Sequence, residues 1–396
     1  MSDLDRTEFF ERAVAEVIER STLERLLDSG ERLRMKQGFD PTRPNLHLGH
    51  TVGLRKLRQL ARWGHEVIVI IGDYTAQIGD PADRDESRPV MSHEEVLRNA
   101  ETYLQQFHRI VPKENVHVVY QTEWYGTFTL AQTIELAARF TVQQMLARED
   151  FRNRMEVKRP LPLKDLLYPL LQGYDSVAIR ADVEFGGTEQ KFNILLGREL
   201  QAQLGQRPQQ VFLVELLPGL DGERMSKTKQ HTAIWLNDPP DEMFGKVMSL
   251  RDELMSVYFE WATEMPLAEA RKHVAALADG SLHPRDAKEL LARQIVTELH
   301  GPAEAEEAAR AFRRQFAEKK LPETLPRPRT VAASTLVDAL VATELAKSRG
   351  EARRLMQQKG VRLNGEVTTD QTTELTPGRV YVIQVGRRVQ TVERSA

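Results

Sequence analysis

The chain has no cysteine among its 396 residues. Disulfides, thiolate catalysis and cysteine-ligated zinc are thereby excluded. It has no apolar run long enough to span a bilayer, so no membrane role is expected. The opening Met1-Ser2-Asp3-Leu4-Asp5-Arg6 lacks the cationic and apolar regions of a secretion signal. A soluble cytoplasmic protein is the expectation. Strong net charge is missing too: the balance is −3, and nothing global demands a nucleic-acid partner. Internal repeats and low-complexity tracts are also absent. Within the near-neutral total the charge is uneven, however. From Ser334 onward ten Lys/Arg face seven Asp/Glu, a net +3 that leaves −6 for the rest. That asymmetry points to a polyanion near the C-terminus.

What the chain does have is length for two or three domains and a distinctive stretch at residues 38–50. There Gly38-Phe39-Asp40-Pro41-Thr42-Arg43-Pro44-Asn45-Leu46-His47-Leu48-Gly49-His50 brings two histidines to the start of a helix over 51–63. A strand-like run over 33–38 precedes it and the apolar strand 67–71 follows. Strand, turn, helix, strand is a parallel crossover, and the turn before its helix is a place for phosphate. Before this unit, residues 8–27 read as one amphipathic lead-in helix, with Phe9, Ala13, Val17 and Leu23 or Leu26 at helical spacing. After it, residues 79–89 form a charged loop suited to a lid. Ser92 and Glu95 make a capping box that opens a helix toward Phe107. A strand at 116–121, one helix over 130–149, and a helix over 168–175 with Pro169 in its first turn come next. Then follow Gly186-Gly187, a helix over 189–204 capped by Thr188, and a strand at 211–214. From Pro239 to about Phe316 the pattern is almost wholly helical. Pro322, Pro326 and Pro328 read as a stiff linker. The last segment should hold one basic helix and several short strands, with Asn364-Gly365 turning a hairpin over 361–367.

Each motif has a bland reading beside a chemical one. His47 and His50 are surface residues of a turn, half of a metal site, or donors to a phosphate. A full zinc site is poorly served without cysteine or a second histidine pair, whereas Gly49 lets a backbone approach a ligand closely. Arg224-Met225-Ser226-Lys227-Thr228, after Leu220-Asp221-Gly222, is a solvated loop or a mobile cation that closes over a triphosphate. Tyr168, Gln172 and Asp175 fall at i, i+4, i+7 and share one helix face. That polar stripe among leucines is either solvent-facing or the wall of a polar-ligand pocket. Asp80 is a turn residue or an anion aimed at a ligand cation. Gly186-Gly187-Thr188-Glu189-Gln190 is a capped tight turn or a close approach to a nucleotide. Arg349, Arg353, Arg354 and Lys359 form a solvated basic face or an RNA-backbone contact.

Taken together these residues resemble the class I aminoacyl-tRNA synthetases. His47-Leu48-Gly49-His50 matches that class's HIGH motif, and Arg224-Met225-Ser226-Lys227-Thr228 its KMSKS motif. Gly38-Phe39-Asp40-Pro41-Thr42, Ile78-Gly79-Asp80-Pro81, the stretch from Tyr168 to Asp175 and Gly186-Gly187-Thr188-Glu189-Gln190 narrow the likeness to the bacterial tyrosyl-tRNA synthetase family. The resemblance runs from about residue 30 to the end, and five motifs in the right order make it specific.

The resemblance implies an α/β architecture. A Rossmann-like parallel-sheet catalytic domain occupies 1–235, with a helical insertion at about 92–165 that contributes to a homodimer. An all-helical anticodon-binding domain (236–325), a linker (326–333) and a small α+β RNA-binding domain (334–396) follow. It implies ATP as substrate, magnesium arriving with ATP, and L-tyrosine and its tRNA as the other partners. Asp80, Tyr168 and Gln172 would hold the tyrosine ammonium, Asp175 its phenol and Gln190 its carboxylate. Thr42, His47 and His50 would stabilise the phosphates in the transition state. Gly38, Asp40, Gly49 and Gly187 would line the nucleotide pocket, with Glu189 at the ribose. Arg224, Lys227 and Thr228 would close on the pyrophosphate, helped by Arg84 and Arg88, and Met225 and Ser226 would also bind ATP. Three positions depart from the family. Lys36, counted with the tyrosine-binding residues, stands where many members carry a tyrosine that contacts the substrate phenol, Glu189 replaces an aspartate, and Arg224 replaces the first lysine of KMSKS. A tryptophanyl-tRNA synthetase, a small-molecule nucleotidylyltransferase and a non-enzymatic RNA-binding protein are the competing readings. The Tyr168/Gln172/Asp175 stripe, the basic tail, and the intact His47, His50 and Lys227 weigh against them.

Overall fold

The computed structural model describes residues 3–42, 44–81, 91–225, 232–316, 328–386 and 388–395. The expected phosphate contacts Arg84, Arg88, Ser226, Lys227 and Thr228 lie outside those residues, as do Pro322 and Pro326. The chain divides into two compact units, Met1–Pro302 and Ala303–Ala396.

The first unit is built on a six-stranded sheet: β1 (Val14–Ile18), β2 (Arg34–Phe39), β3 (Glu66–Ile71), β4 (Val116–Tyr120), β5 (Val183–Gly187) and β6 (Gln210–Val214). Their order is β1-β6-β5-β2-β3-β4. All pairs are parallel except β1 with β6. The near-continuous apolar runs of β3 and β6 are buried, as parallel strands covered on both faces should be, and β5 is buried beside them although it carries Glu184. From β2 the chain steps outward to β3 and β4, then returns across β2 to place β5 on its other side. The switch point therefore lies at the carboxyl ends of β2 and β5, where ligands bind in open α/β sheets.

Local differences from the sequence expectations have identifiable causes. Residues 8–27 are not one helix. They form the helix Asp3–Glu11, the strand β1 and the helix Arg20–Asp28. Ala13 (φ 51°) and Glu19 (φ 54°) break the helical path, and the β-branched Val14, Val17 and Ile18 pair along β6. Helical periodicity cannot separate these cases, because an edge strand of five residues also shows apolar side chains. The span 130–149 is broken into Leu130–Ala137 and Val142–Met145, since Thr141 and Gln144 form a fresh capping box. Pro169 is the seventh residue of the helix Leu163–Ala178, not a first-turn residue. Thr188 caps nothing: residues Thr188–Gln190 form a 3₁₀ turn entered from Gly187, and the helix Lys191–Gln203 follows without a side-chain cap. The helices Leu163–Ala178 and Lys191–Gln203 cross closely, because a Cβ at Gly173 would lie 2.8 Å from Leu196 and 3.3 Å from Gly197.

The helices Pro240–Met248, Leu267–Ala278 and Pro284–His300 belong to the same unit. Arg55, on the helix Leu48–Arg62, ties them in. It donates to the carbonyls of Trp261 and Ala262, which end the π-helical turn Tyr258–Ala262, and to Glu298 at 2.8 Å.

In the second unit a sheet ordered β7-β11-β10-β8-β9 comprises β7 (Arg329–Val331), β8 (Val361–Leu363), β9 (Glu366–Val367), β10 (Val380–Val385) and β11 (Arg388–Arg394). Two helices pack with it, Leu336–Ala342 and Arg349–Gln357, where the sequence pattern pointed to one. The first is only seven residues long, about two helical turns, too short for its apolar spacing to mark a helix. Strand β7 falls inside the span taken for linker. Asn364 (φ 50°) and Gly365 (φ 90°) make the expected two-residue hairpin turn.

Candidate active site

A cavity of about 510 Å³ opens at the switch point. Its walls come from the carboxyl ends of β2, β3, β5 and β6, the helix start at His47, and the polar face of Leu163–Ala178. Every described residue expected in the catalytic, tyrosine or ATP groups lines it, with one exception, Lys36.

On one side the walls are a cross-linked polar network. Asp175 is 3% exposed. Its Oδ2 accepts from Gln121 Nε2 at 2.8 Å and its Oδ1 from Trp124 Nε1 at 3.1 Å. Burial pushes its carboxyl up to about 7, opposed chiefly by the Lys36 ammonium and then by Gln121, while Glu184 adds to the rise. Asp80 is gripped by Arg148 at 2.9 Å and by Gln190 Nε2 at 2.8 Å. Arg148 also donates to Asn193 Oδ1, and Asn193 donates to Gln172 Oε1 (2.9 Å) and Gln190 Oε1 (3.2 Å). Thus Asp80, Gln172 and Gln190 are held through Arg148 and Asn193. Tyr168 donates to Asp40 Oδ2 at 2.9 Å, and Thr75 Oγ1 donates to Asp40 Oδ1 at 2.7 Å. Room for the Asp40 carboxylate depends on Gly72, where a Cβ would meet Oδ1 at 2.1 Å.

The other side is built from backbone and imidazoles. His47 is the extended N-cap (φ −106°, ψ 165°) of Leu48–Arg62, and His50 is its third residue. The positive end of the helix dipole therefore faces the cavity. The two rings lie 3.9 Å apart. His50 Nδ1 sits 3.2 Å from the backbone N and O of His47, and Nε2 sits 3.3 Å from Tyr103 Oη. A Cβ at Gly49 would lie 3.0 Å from His47 Nδ1, so glycine leaves the ring its place over the first turn.

The second motif is tethered beside the first. Arg224 bridges to Pro218 before residues 226–231, and Trp235 bridges to His47 after them. Leu48 N donates to Ile234 O, and Leu236 N donates to Leu46 O. Arg224 reaches Glu189 Oε1 at 3.1 Å. Two segments some 175 residues apart in sequence thereby share one cavity rim.

Residues the sequence reading missed are Thr75, Tyr103, Gln121, Trp124, Arg148, Glu184 and Asn193. Gln121 directly follows β4, and carboxyl ends of parallel strands are ligand positions, so a signal existed. Asn193 stands three residues after Gln190, one helical turn on. Tyr103 lies on the apolar face of His93–Ile110 and reads as core. Arg148 stands among unremarkable charges and gives no signal. In the second unit Arg353, Arg354 and Lys359 are exposed, while Arg349 pairs with Asp338 at 2.7 Å.

The family pattern of tRNA synthetases class I (W and Y) matches residues 28–317, and that of the S4 domain matches residues 335–380. The chain is 45% identical to a tyrosine–tRNA ligase of Dehalococcoides mccartyi over 383 residues, 96% of each chain. It is 47% identical to that of Moorella thermoacetica over 384 residues, 95% of this chain and 92% of the relative. Among solved structures, a tyrosyl-tRNA synthetase of Archaeoglobus fulgidus complexed with L-tyrosine shares the fold. Its TM-score is 0.63 at 22% identity, covering 78% of this chain and 100% of that one. The chain belongs to the tyrosine–tRNA ligase family of class I tRNA synthetases.

Proposed function

We propose that this chain activates L-tyrosine with ATP and transfers it to the 3′ end of its tRNA. The observation that carries the reading is one cavity with a buried, doubly hydrogen-bonded carboxylate on one wall and a histidine-bearing helix start on the other. The tyrosine phenol donates to Asp175, and the ammonium sits among Asp80, Tyr168 and Gln172, with the carboxylate near Gln190. That carboxylate, already ionised, attacks the α-phosphorus of ATP. The bond to the bridging oxygen breaks, and pyrophosphate leaves with the electron pair. No nucleophile–base pair is needed; the work is alignment and stabilisation of charge on phosphate. His47, His50, Thr42, Arg224, Lys227 and Thr228 supply donors, Glu189 takes the ribose, and Gly38, Asp40, Gly49 and Gly187 leave space for the nucleotide. Arg84, Arg88, Met225 and Ser226 complete the nucleotide side. Magnesium enters with the nucleotide as part of the substrate. A terminal ribose hydroxyl of the tRNA then attacks the activated carbonyl and AMP departs.

Phenylalanine would set an apolar ring edge against this buried carboxylate and offer it no proton, which disfavours that substrate without any editing step. Arg349, Arg353, Arg354 and Lys359 contact RNA backbone, and the helices between Pro239 and Phe316 read the anticodon end. A cytoplasmic homodimer is the working assembly. Leu130, Ile134, Val142, Met155, Val157 and Leu163 are exposed and fall within one short span of the chain, which supports pairing through that segment. Among the described residues no helix is long and apolar enough to cross a membrane. The deciding experiment is amino-acid-dependent ATP–pyrophosphate exchange. Tyrosine should support it and tryptophan should not; exchange with tryptophan instead would overturn the substrate assignment.

A further inference from the structure

Lys36 was expected at the phenol, yet its side chain is fully buried and lies behind the cavity wall. The register of β2 with β5 sets it directly opposite Glu184. The two charges meet at 2.9 Å with side chains 0% and 2% exposed. Lys36 Nζ also donates to Ser176 Oγ at 2.7 Å and to the backbone oxygen of Gln172 at 2.9 Å, so its three protons have three acceptors. Glu184 accepts further from Ser176 Oγ (3.0 Å), Gln172 Nε2 (3.3 Å) and Gln209 Nε2. The pair thus grips the helix Leu163–Ala178 at residues 172 and 176, on either side of Asp175. A buried ion pair is seldom more stabilising than well-packed apolar side chains, so stability alone does not account for it.

The charged and titratable groups that face Asp175 are Lys36 from β2, Glu184 from β5 and Tyr125 from the turn Thr122–Tyr125. Gln121 and Trp124 are its neutral donors. Burial works against the carboxylate, and after burial the Lys36 charge is the largest influence, in the opposite sense.

We propose that Lys36 is a positioning residue for phenol recognition: locked to Glu184 across the β2/β5 junction, it fixes the helix that carries Asp175 and keeps positive charge behind that carboxylate, so that the substrate hydroxyl meets an ionised acceptor. The direct second phenol contact that the family resemblance implied at this position is replaced here by a charge acting through the wall. The inference rests on the tyrosine-activating function proposed above.

The test is tyrosine-dependent ATP–pyrophosphate exchange on the full chain between pH 6 and 8.5, with KM for tyrosine and for ATP measured separately. In Lys36→Met the inflection in tyrosine KM should move up by about one pH unit or more. In Glu184→Gln, which keeps the side-chain shape, it should move down. The double variant should return close to the parent, and KM for ATP should stay put in all three. A merely structural role would raise tyrosine KM at every pH and in the same direction for both single variants; that result would overturn the proposal. Should Lys36→Met fail to fold, an unmoved Glu184→Gln profile overturns it on its own. Lack of tyrosine-dependent exchange in the parent protein would instead refute the functional reading on which this inference stands.

Discussion

The two walls of the cavity are made in opposite ways. On the wall proposed for the amino acid, Asp80, Gln172, Asp175 and Gln190 are each fixed by neighbouring side chains, Arg148, Asn193, Gln121 and Trp124 among them. On the wall proposed for the nucleotide, glycine, helix N-terminus and imidazole dominate, and the described residues Arg224 and Trp235 are bridged to Pro218 and His47. Selection between tyrosine and phenylalanine requires groups that cannot relax toward the wrong ligand, so rigidity belongs on the first wall. Phosphate displacement requires donors that meet charge as it develops, and the described part of the second wall offers them as a fixed helix dipole and imidazoles.

Four changes test that contrast, two on each wall. His50→Ala should lower kcat of pyrophosphate exchange on the order of 10²–10³-fold, the scale for removing one charge-stabilising donor. KM for tyrosine should barely move, and steady-state kinetics would show both. Arg148→Met acts on the other wall. Breaking a buried pair costs about 3–5 kcal/mol, so its melting temperature should drop, and tyrosine KM should rise while ATP KM holds.

Asp175→Asn should separate stability from selection. Its carboxyl is raised from 3.8 to about 7 in the folded chain, so the fold holds that proton more tightly than the unfolded chain does. The resulting stability is fully present below pH 4 and is lost as pH rises through about 7. At pH 8 the asparagine variant should therefore melt higher than the parent, on the order of a few kcal/mol more stable. At pH 4 the difference should vanish. Calorimetry at both values checks it. The smallest effect is Gly49→Ala, which crowds His47 Nδ1 at 3.0 Å; a loss in kcat of about tenfold with unchanged tyrosine KM is expected.

The nucleotide wall was the more legible one in the sequence. Glycines and histidines at a helix start carry their meaning locally, and the crossover around 38–71 folds as the pattern implies. On the amino-acid wall the stripe of Tyr168, Gln172 and Asp175 was legible through helical spacing, but its supports were not. Arg148 and Trp124 act through contacts 45–68 residues distant in the chain, and no local pattern encodes those. Lys36 shows the same limit. Its position was identified by likeness, but its partner Glu184 is set by strand order, which appears only once β5 lies beside β2. The mistaken helix over 8–27 has the same origin, since β1 exists because β6 offers it an edge.

The central claim is that Asp175 chooses the substrate while the histidine wall does the chemistry. Its most direct test is pyrophosphate exchange with tyrosine and with phenylalanine, in the parent and in Asp175→Asn, at saturating ATP and pH 8. The parent should prefer tyrosine by a factor on the order of 10⁴–10⁵ in kcat/KM, and the preference should collapse in the variant with KM for ATP unchanged. A variant that keeps its preference for tyrosine would contradict it.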